Sequence, residues 1–262
     1  MDYDPTVPEY QYDRSSYDAR VYQGFGKGSY DTLLKLGPNI KDWPEIAPLG
    51  ENLLLKVASF ITDPVTTTDE LIPSGETSSY RSNPLGLAEF TLSRKDPAYV
   101  GRAKAVQSEE AARRAGQGDA SLLDKIHAVP GCEALTWADV QLASTIYAVK
   151  PGDGSAREQA ASCQRVLGAG ANIVSEYATK RYRSNLINWG MLPLQLSGPA
   201  PFGLGDYILI PNVRQALEGD LQNIPAYVLG EKVLPFTLYM APLTADERRI
   251  LADGCLINYY KH

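Results

Sequence analysis

The chain has 262 residues and a formal net charge of −6, and 44% of its residues are hydrophobic while 21% are charged. This is the composition of a globular protein, which excludes a fully disordered chain and a fibrous repeat. The acidic balance argues against a general nucleic-acid binder, and no apolar run approaches the roughly 20 residues of a membrane helix. The three cysteines and two histidines match no zinc or iron–sulfur spacing. The expected compartment is a reducing cytoplasm.

Residues 1–50 predict an extended arm. Six of the sixteen tyrosines fall within the first thirty residues, and prolines and glycines interrupt every regular hydrophobic period. Because a flexible tail rarely holds so many aromatic residues, we expect the arm to pack its rings along a surface, which can belong to domains outside this chain. The folded domain is expected over residues 51–262.

Beyond residue 50, strand-like and helix-like segments alternate. Strands are predicted at 52–61, 139–149, 171–174, 191–196, 207–210 and 233–240. Helices are predicted at 98–127 with a break near Gly116–Gly118, at 155–167, at 179–189 and from Thr244 to about Tyr259. The alternation predicts an α/β fold, a mixed sheet with a parallel core flanked by helices. The strands at 139–149, 171–174 and 191–196 are expected to be neighbours, because their apolar content suits strands covered on both faces.

A glycine-rich turn between the strand at 139–149 and the next helix carries the clearest chemical signal. It reads Gly152-Asp-Gly-Ser-Ala-Arg-Glu158. Glycines let the backbone approach a ligand closely, and the free N–H groups at a helix start attract an anion. Ser155 is expected in the first helical turn among those donors, and Arg157 can present a planar fork to a carboxylate. The alternative is that Ser155 is an ordinary N-cap and Arg157 a surface residue.

At these residues the sequence resembles the C-terminal, swivelling domain of the aconitase family, most closely that of bacterial aconitase-like hydratases. The segment 152–196 is similar to the family's G-x-G-S-S-R-E turn, its helices and its G-L/M-L-P-L strand. Thr67-Thr68-Asp69 resembles the family's T-T-D-H loop, and Arg81 has the spacing of its substrate-binding arginine. The resemblance spans roughly residues 50–262 and implies the swivelling β/β/α fold.

The family removes and re-adds water on a hydroxy di- or tricarboxylic acid. The resemblance therefore implies hydro-lyase chemistry, with Ser155 as the base that takes the Cα proton and Asp69 as a second catalytic group. It implies that the substrate is bound by Arg157, Arg81, Gly154 and Ala156.

Three positions depart from the family pattern. Ala156 replaces the second serine of S-S-R-E, Gln159 replaces the following histidine, and Glu70 replaces the histidine of T-T-D-H. These departures leave the identity of the hydroxy acid open. They also motivate an alternative, a catalytically degenerate structural homologue.

The family's enzymes use a labile [4Fe-4S] cluster, ligated by three cysteines of other domains. The resemblance implies that this chain binds no cluster, that the isolated chain is inactive, and that the remaining aconitase-type domains supply the cluster. Those domains can lie in the same polypeptide, which the arm favours, or in a large subunit, as in isopropylmalate isomerases. An RNA-binding regulatory module is a further alternative, disfavoured by the acidic balance.

Overall fold

The computed structural model describes residues 9–20, 24, 26–33 and 35–261. The chain divides into two units, Met1–Gly37 and Pro38–His262. In the described part of the first unit, α1 (Ser15–Asp18) is a single helical turn. The tyrosine side chains described there are exposed, namely Tyr10, Tyr12, Tyr17 and Tyr30. The expectations for Tyr3 and Tyr22 lie outside the described residues.

The second unit includes the last part of the segment that was predicted as an arm. Residues 38–50 lie on its surface, where the ring of Trp43 is 4.3 Å from that of Trp189, measured between centroids. The backbone N–H of Leu49 donates a hydrogen bond of 3.1 Å to the carbonyl of Ala252. The second unit therefore includes residues 38–50 together with the predicted domain.

The strands of the second unit are β1 (Asn52–Ile61), β2 (Thr66–Thr67), β3 (Val140–Ala148), β4 (Pro151–Asp153), β5 (Ala169–Val174), β6 (Leu192–Gln195), β7 (Tyr207–Ile210), β8 (Ile224–Leu229) and β9 (Val233–Leu238). The helices are α2 (Thr68–Leu71), α3 (Pro84–Ala88), α4 (Tyr99–Arg114), α5 (Ala120–His127), α6 (Arg157–Val166), α7 (Lys180–Asn188), α8 (Val213–Glu218), α9 (Ala245–Asp253) and α10 (Leu256–Tyr259). Single turns of 3₁₀ helix lie at Ser78–Tyr80 and Trp137–Asp139. No helix of the described residues combines the length and the apolar composition needed to cross a membrane.

One sheet of seven strands has the order β6-β5-β3-β1-β7-β8-β9. The first four strands are parallel, and β7, β8 and β9 add an antiparallel half. The predicted mixed sheet with a parallel core is confirmed, as is the predicted adjacency of β3, β5 and β6. Gln195, at the end of β6, exchanges two backbone hydrogen bonds of 2.7 and 3.0 Å with Tyr239, just after β9. The two edges of the sheet therefore meet, and the sheet curls into a barrel.

Both faces of the parallel core are covered, which explains its continuous apolar runs. Along β1, Leu53 and Leu55 belong to the barrel interior, together with residues of β7 and β8. Leu54, between them, points to the opposite face and packs in the cluster that includes α5. A further cluster joins α3, α6 and α7 to the outer face. The loops at the carboxyl ends of the parallel strands are thus held by packed helices.

The structure differs from the predicted elements in two places. The last helix is not continuous to Tyr259, because Gly254 ends α9 with φ of +92°. A Cβ at Gly254 would lie 2.3 Å from the carbonyl oxygen of Ala47, so the chain requires glycine there. β8 was not predicted, since Pro225 reads as a strand breaker. Pro225 is tolerated because β7 pairs only with the later residues Tyr227 and Val228.

Candidate functional site

Two loops that are distant in sequence pair at the carboxyl end of the parallel core. β2 and β4 form a small parallel sheet, in which Thr67 is registered with Asp153. The backbone N–H of Thr66 extends this contact by donating a 3.0 Å hydrogen bond to the carbonyl of Lys150. The T-T-D loop and the glycine-rich turn are therefore neighbours. In α/β folds with parallel strands, ligands bind outside the carboxyl ends of those strands.

The two glycines of the turn permit close packing. Gly152 has φ of +96°, and a Cβ there would lie 2.4 Å from the ring of Tyr182. Gly154 has φ of +135°, and a Cβ there would lie 2.2 Å from Oγ1 of Thr68. Left-handed backbone of this kind favours glycine. Gly154 thus packs the turn directly against the T-T-D loop.

Ser155 lies before α6 and not in its first turn, so that prediction is wrong. The N-cap is Ala156, and no side chain caps the helix. The alternative that Ser155 is the N-cap is therefore also wrong. Ser155 is exposed, and its hydroxyl forms no hydrogen bond with any residue that the structure describes. A ligand can reach it without breaking an existing contact.

The start of α6 presents unpaired positive charge. Arg157 is the first helical residue, is half-buried, and forms no ion pair with the described part of the chain. Because no side chain caps the helix, the N–H groups of the first turn stay free to bind an anion. Glu158, in the same turn, forms no ion pair with Arg157, and its carboxylate accepts a 2.9 Å hydrogen bond from Nε1 of Trp189. The arrangement can bind a carboxylate beside Ser155.

Asp69 is held in an ion pair. Nη1 of Arg94 donates to Oδ2 of Asp69, and Nη2 of the same guanidinium donates to Oε1 of Glu76. Asp69 itself lies in α2, directly after β2. It directly follows Thr67 and Thr68, the two residues that contact Asp153 and Gly154 of the glycine-rich turn.

Glu70 is part of the turn and not a free acid. Its carboxylate accepts hydrogen bonds from the backbone N–H and the hydroxyl of Thr67, at 2.8 and 3.0 Å, in a capping box. Nζ of Lys95 lies 3.1 Å from the same carboxylate. Burial alone would raise the pKa of Glu70, but the hydrogen bonds from Thr67 and Lys95 outweigh it and hold the pKa below the ordinary value. Glu70 therefore gives the loop its own cap.

Arg81 follows the 3₁₀ turn Ser78–Tyr80 and is exposed. Its side chain pairs with no acid among the described residues. Two residues of chain separate it from α3, which packs against α6 in one apolar cluster. Its convergence with Ser155 and Arg157 stays a prediction.

Arg94 and Lys95 were not found from the sequence. They lie about 25 residues after the acids that they contact, and a basic pair in a loop is ordinary surface composition. The one available signal is that two adjacent bases match two adjacent acids. Only the folded chain shows which acids they meet.

The cysteines do not fit a [4Fe-4S] cluster as ligands. Cys132, Cys163 and Cys255 are all buried and free, and burial raises the pKa of the Cys163 thiol to about 12. Cluster ligation requires thiolates grouped around one point. Among the described residues there is no group of three or more histidine, cysteine or acidic side chains placed to hold a metal.

One comparison, with protein-family models, agrees with the resemblance seen in the sequence. Residues 133–199 match the family model of the aconitase C-terminal domain, which confirms the resemblance over this stretch. The stretch includes the turn with Ser155 and Arg157. A crystal structure of 3-isopropylmalate dehydratase (leuD) from Methanocaldococcus jannaschii is 21% identical, covers 79% of this chain and 93% of that chain, and has a TM-score of 0.47. The curated proteins give no match to this chain.

Proposed function

We propose that this chain, which matches the model of the aconitase C-terminal domain over residues 133–199, is the proton-abstracting and substrate-binding part of a hydro-lyase. The reaction is dehydration and rehydration of a hydroxy di- or tricarboxylic acid. The observation that carries the proposal is the setting of Ser155, exposed and without a partner among the described residues, before the uncapped start of α6. A serine that served only the helix would instead cap it.

The environment of Ser155 suits a base. A serine hydroxyl takes a proton from carbon only if its alkoxide is stabilised. The free N–H groups of the first turn of α6 and the guanidinium of Arg157 supply positive charge for this. The Cα proton of the substrate passes to the alkoxide Oγ of Ser155, which becomes a hydroxyl. The C–H electrons form the carbon–carbon double bond, and the C–O electrons leave with the hydroxyl of the adjacent carbon as hydroxide.

The two unpaired arginines suit the substrate carboxylates. Arg157 stands at the start of α6 and Arg81 stands before α3, and each side chain can offer a planar fork of donors. In the described residues neither is neutralised by an acid, so both charges remain for a ligand. Two such contacts fix the substrate in one orientation, which is the main requirement for efficient proton transfer.

Departure of the hydroxyl falls to groups outside this chain. We assign the cluster that the resemblance implies to the remaining aconitase-type domains, in the same polypeptide or in a large subunit. The free cysteines fit a reducing cytoplasm as the compartment. The alternative function, a catalytically degenerate homologue, is favoured by two observations: Glu70 is tied into its turn, and Ala156 offers no hydroxyl.

The test is Ser155→Ala in the enzyme assembled with its cluster-bearing domains, with citrate and 3-isopropylmalate as probe substrates. We expect turnover to fall by about 10²–10⁴-fold with KM nearly unchanged, because the base acts mainly in the transition state. The melting temperature should not change, since Ala156 and not Ser155 is the N-cap.

The matched control is Ser108→Ala, an exposed serine of α4 whose hydroxyl bonds only to the carbonyl of Lys104. It should leave turnover unchanged. If Ser155→Ala leaves turnover per folded molecule equal to that of the control, the catalytic proposal fails and the degenerate homologue is the better reading.

A further inference from the structure

Two adjacent basic residues hold the two adjacent acids of the T-T-D loop. Arg94 pairs with Asp69 and also with Glu76. Lys95 pairs with Glu70 at 3.1 Å and with Asp63 at 2.9 Å. Each base thus bridges one acid of α2 to a second acid elsewhere.

The backbone that carries these bases is constrained. Leu92 is fully buried and has φ of +56°, in a region that leucine rarely adopts. Its backbone N–H donates a 2.9 Å hydrogen bond to the carbonyl of Leu71, the last residue of α2. A residue holds such a conformation only when its surroundings fix it. The segment with Arg94 and Lys95 is therefore anchored directly to the helix whose acids it contacts.

The Arg94 pair is poorly suited to stabilising the fold. Its side chain is 44% exposed and that of Asp69 is 55% exposed, and exposed ion pairs contribute little to stability. A guanidinium shared between Asp69 and Glu76 instead restricts orientation, because its donors lie in a fixed plane. The geometry is therefore suited to fixing the orientation of the Asp69 carboxylate.

We propose that Arg94 is a positioning residue for Asp69. It holds the Asp69 carboxylate in a single rotamer and does not itself contact the substrate. This inference rests on the proposed function for its catalytic consequence, but its structural part does not. Lys95 is the matched control, because its acid, Glu70, serves the capping box.

The structural part is tested on the full chain by NMR, through the Hα–Hβ coupling constants of Asp69. We expect the couplings of a single rotamer in the wild type and averaged couplings in Arg94→Gln. Arg94→Lys should give intermediate values, since one ammonium cannot reproduce the fork. Lys95→Gln should leave the Asp69 couplings unchanged. Unchanged couplings in Arg94→Gln would overturn the proposal.

The catalytic part is tested in the assembled enzyme with citrate and 3-isopropylmalate. Arg94→Gln should lower kcat by about 10-fold to 100-fold through misplacement of Asp69, with KM nearly unchanged, and Lys95→Gln should leave kcat unchanged. If Ser155→Ala abolishes turnover while Arg94→Gln leaves kcat intact, positioning is wrong and the proposed function survives. If Ser155→Ala has no effect, the proposed function has failed, and the Asp69 couplings alone decide the role of Arg94.

Discussion

The two halves of the candidate site treat their polar side chains in opposite ways. In the α6 half, Ser155 and Arg157 contact no polar partner among the described residues. In the α2 half, Asp69 and Glu70 are both held in ion pairs. Side chains left free at the end of a sheet can meet a ligand directly, whereas paired side chains are held in one orientation. The difference separates side chains that are free to bind a ligand from side chains that are held in place by their neighbours.

The helix starts show the same contrast. α2 has four residues and begins with a complete capping box between Thr67 and Glu70. α6 begins without a side-chain cap, and its stability comes from packing of buried residues such as Ala160 and Ala161. A missing cap costs about 0.5–2 kcal/mol, which a packed helix can bear. In return, the N–H groups at the start of α6 remain available.

We expect the largest effect from a substitution that distorts the glycine-rich turn. Gly152→Ala should destabilise the protein by about 2–4 kcal/mol, because the new Cβ would overlap the ring of Tyr182 and the backbone is left-handed. Gly131→Ala is the control, since Gly131 also has positive φ, +83°, but no atom within 4 Å of an added Cβ. It should cost about 1 kcal/mol. Urea unfolding measures both, and equal losses would show that the Tyr182 contact is unimportant.

The core of the fold could be predicted because its signals are local. The apolar runs at β1 and β3 and the glycines that end α6 and α7 all act within a few residues. β8 could not be predicted because it contains Pro225. Whether a strand tolerates proline there depends on how far the neighbouring strand β7 extends. Gly254 concealed a helix break that is imposed by a backbone contact with Ala47, which lies far away in sequence.

The site was predictable in its residue types and not in its contacts. The turn around Ser155 was recognised, but the helix is predicted to begin at Ser155, whereas α6 begins two residues later, at Arg157. Serine is typical of a helix start, and only the folded chain shows that Ala156 takes the N-cap position. The ion pair that holds Asp69 could not be predicted from the sequence, because it joins Arg94 to an acid 25 residues away. Pairings of this kind are determined by tertiary structure.

A smaller effect is expected at Arg81, whose side chain pairs with no acid among the described residues. Arg81→Lys in the assembled enzyme should raise KM for the preferred probe acid by about 10-fold, because one of two charge-assisted hydrogen bonds to a carboxylate is lost. The melting temperature should stay constant, since Arg81 is exposed and pairs with no described acid. Lys41→Arg, an exchange of similar size outside the two loops, is the control for KM. A melting point that falls with no change in KM would place Arg81 among the supporting residues.

The smallest effect is expected at Glu70, one of the paired acids, and is measured as the dependence of stability on pH. The pKa of Glu70 lies below its ordinary value of 4.5, so the unfolded chain takes up the proton more readily than the folded chain. The stability from ionised Glu70 is therefore fully present above that ordinary value and is lost as pH falls through the lower folded value. Glu70→Gln keeps a residue that can close a capping box but removes this dependence. Urea unfolding from neutral to acidic pH should show the wild type losing its advantage over Glu70→Gln as pH falls, and Lys95→Gln should weaken that trend. A constant difference between wild type and Glu70→Gln at all pH values would mean that the capping-box carboxylate is not held in its ionised form by Thr67 and Lys95.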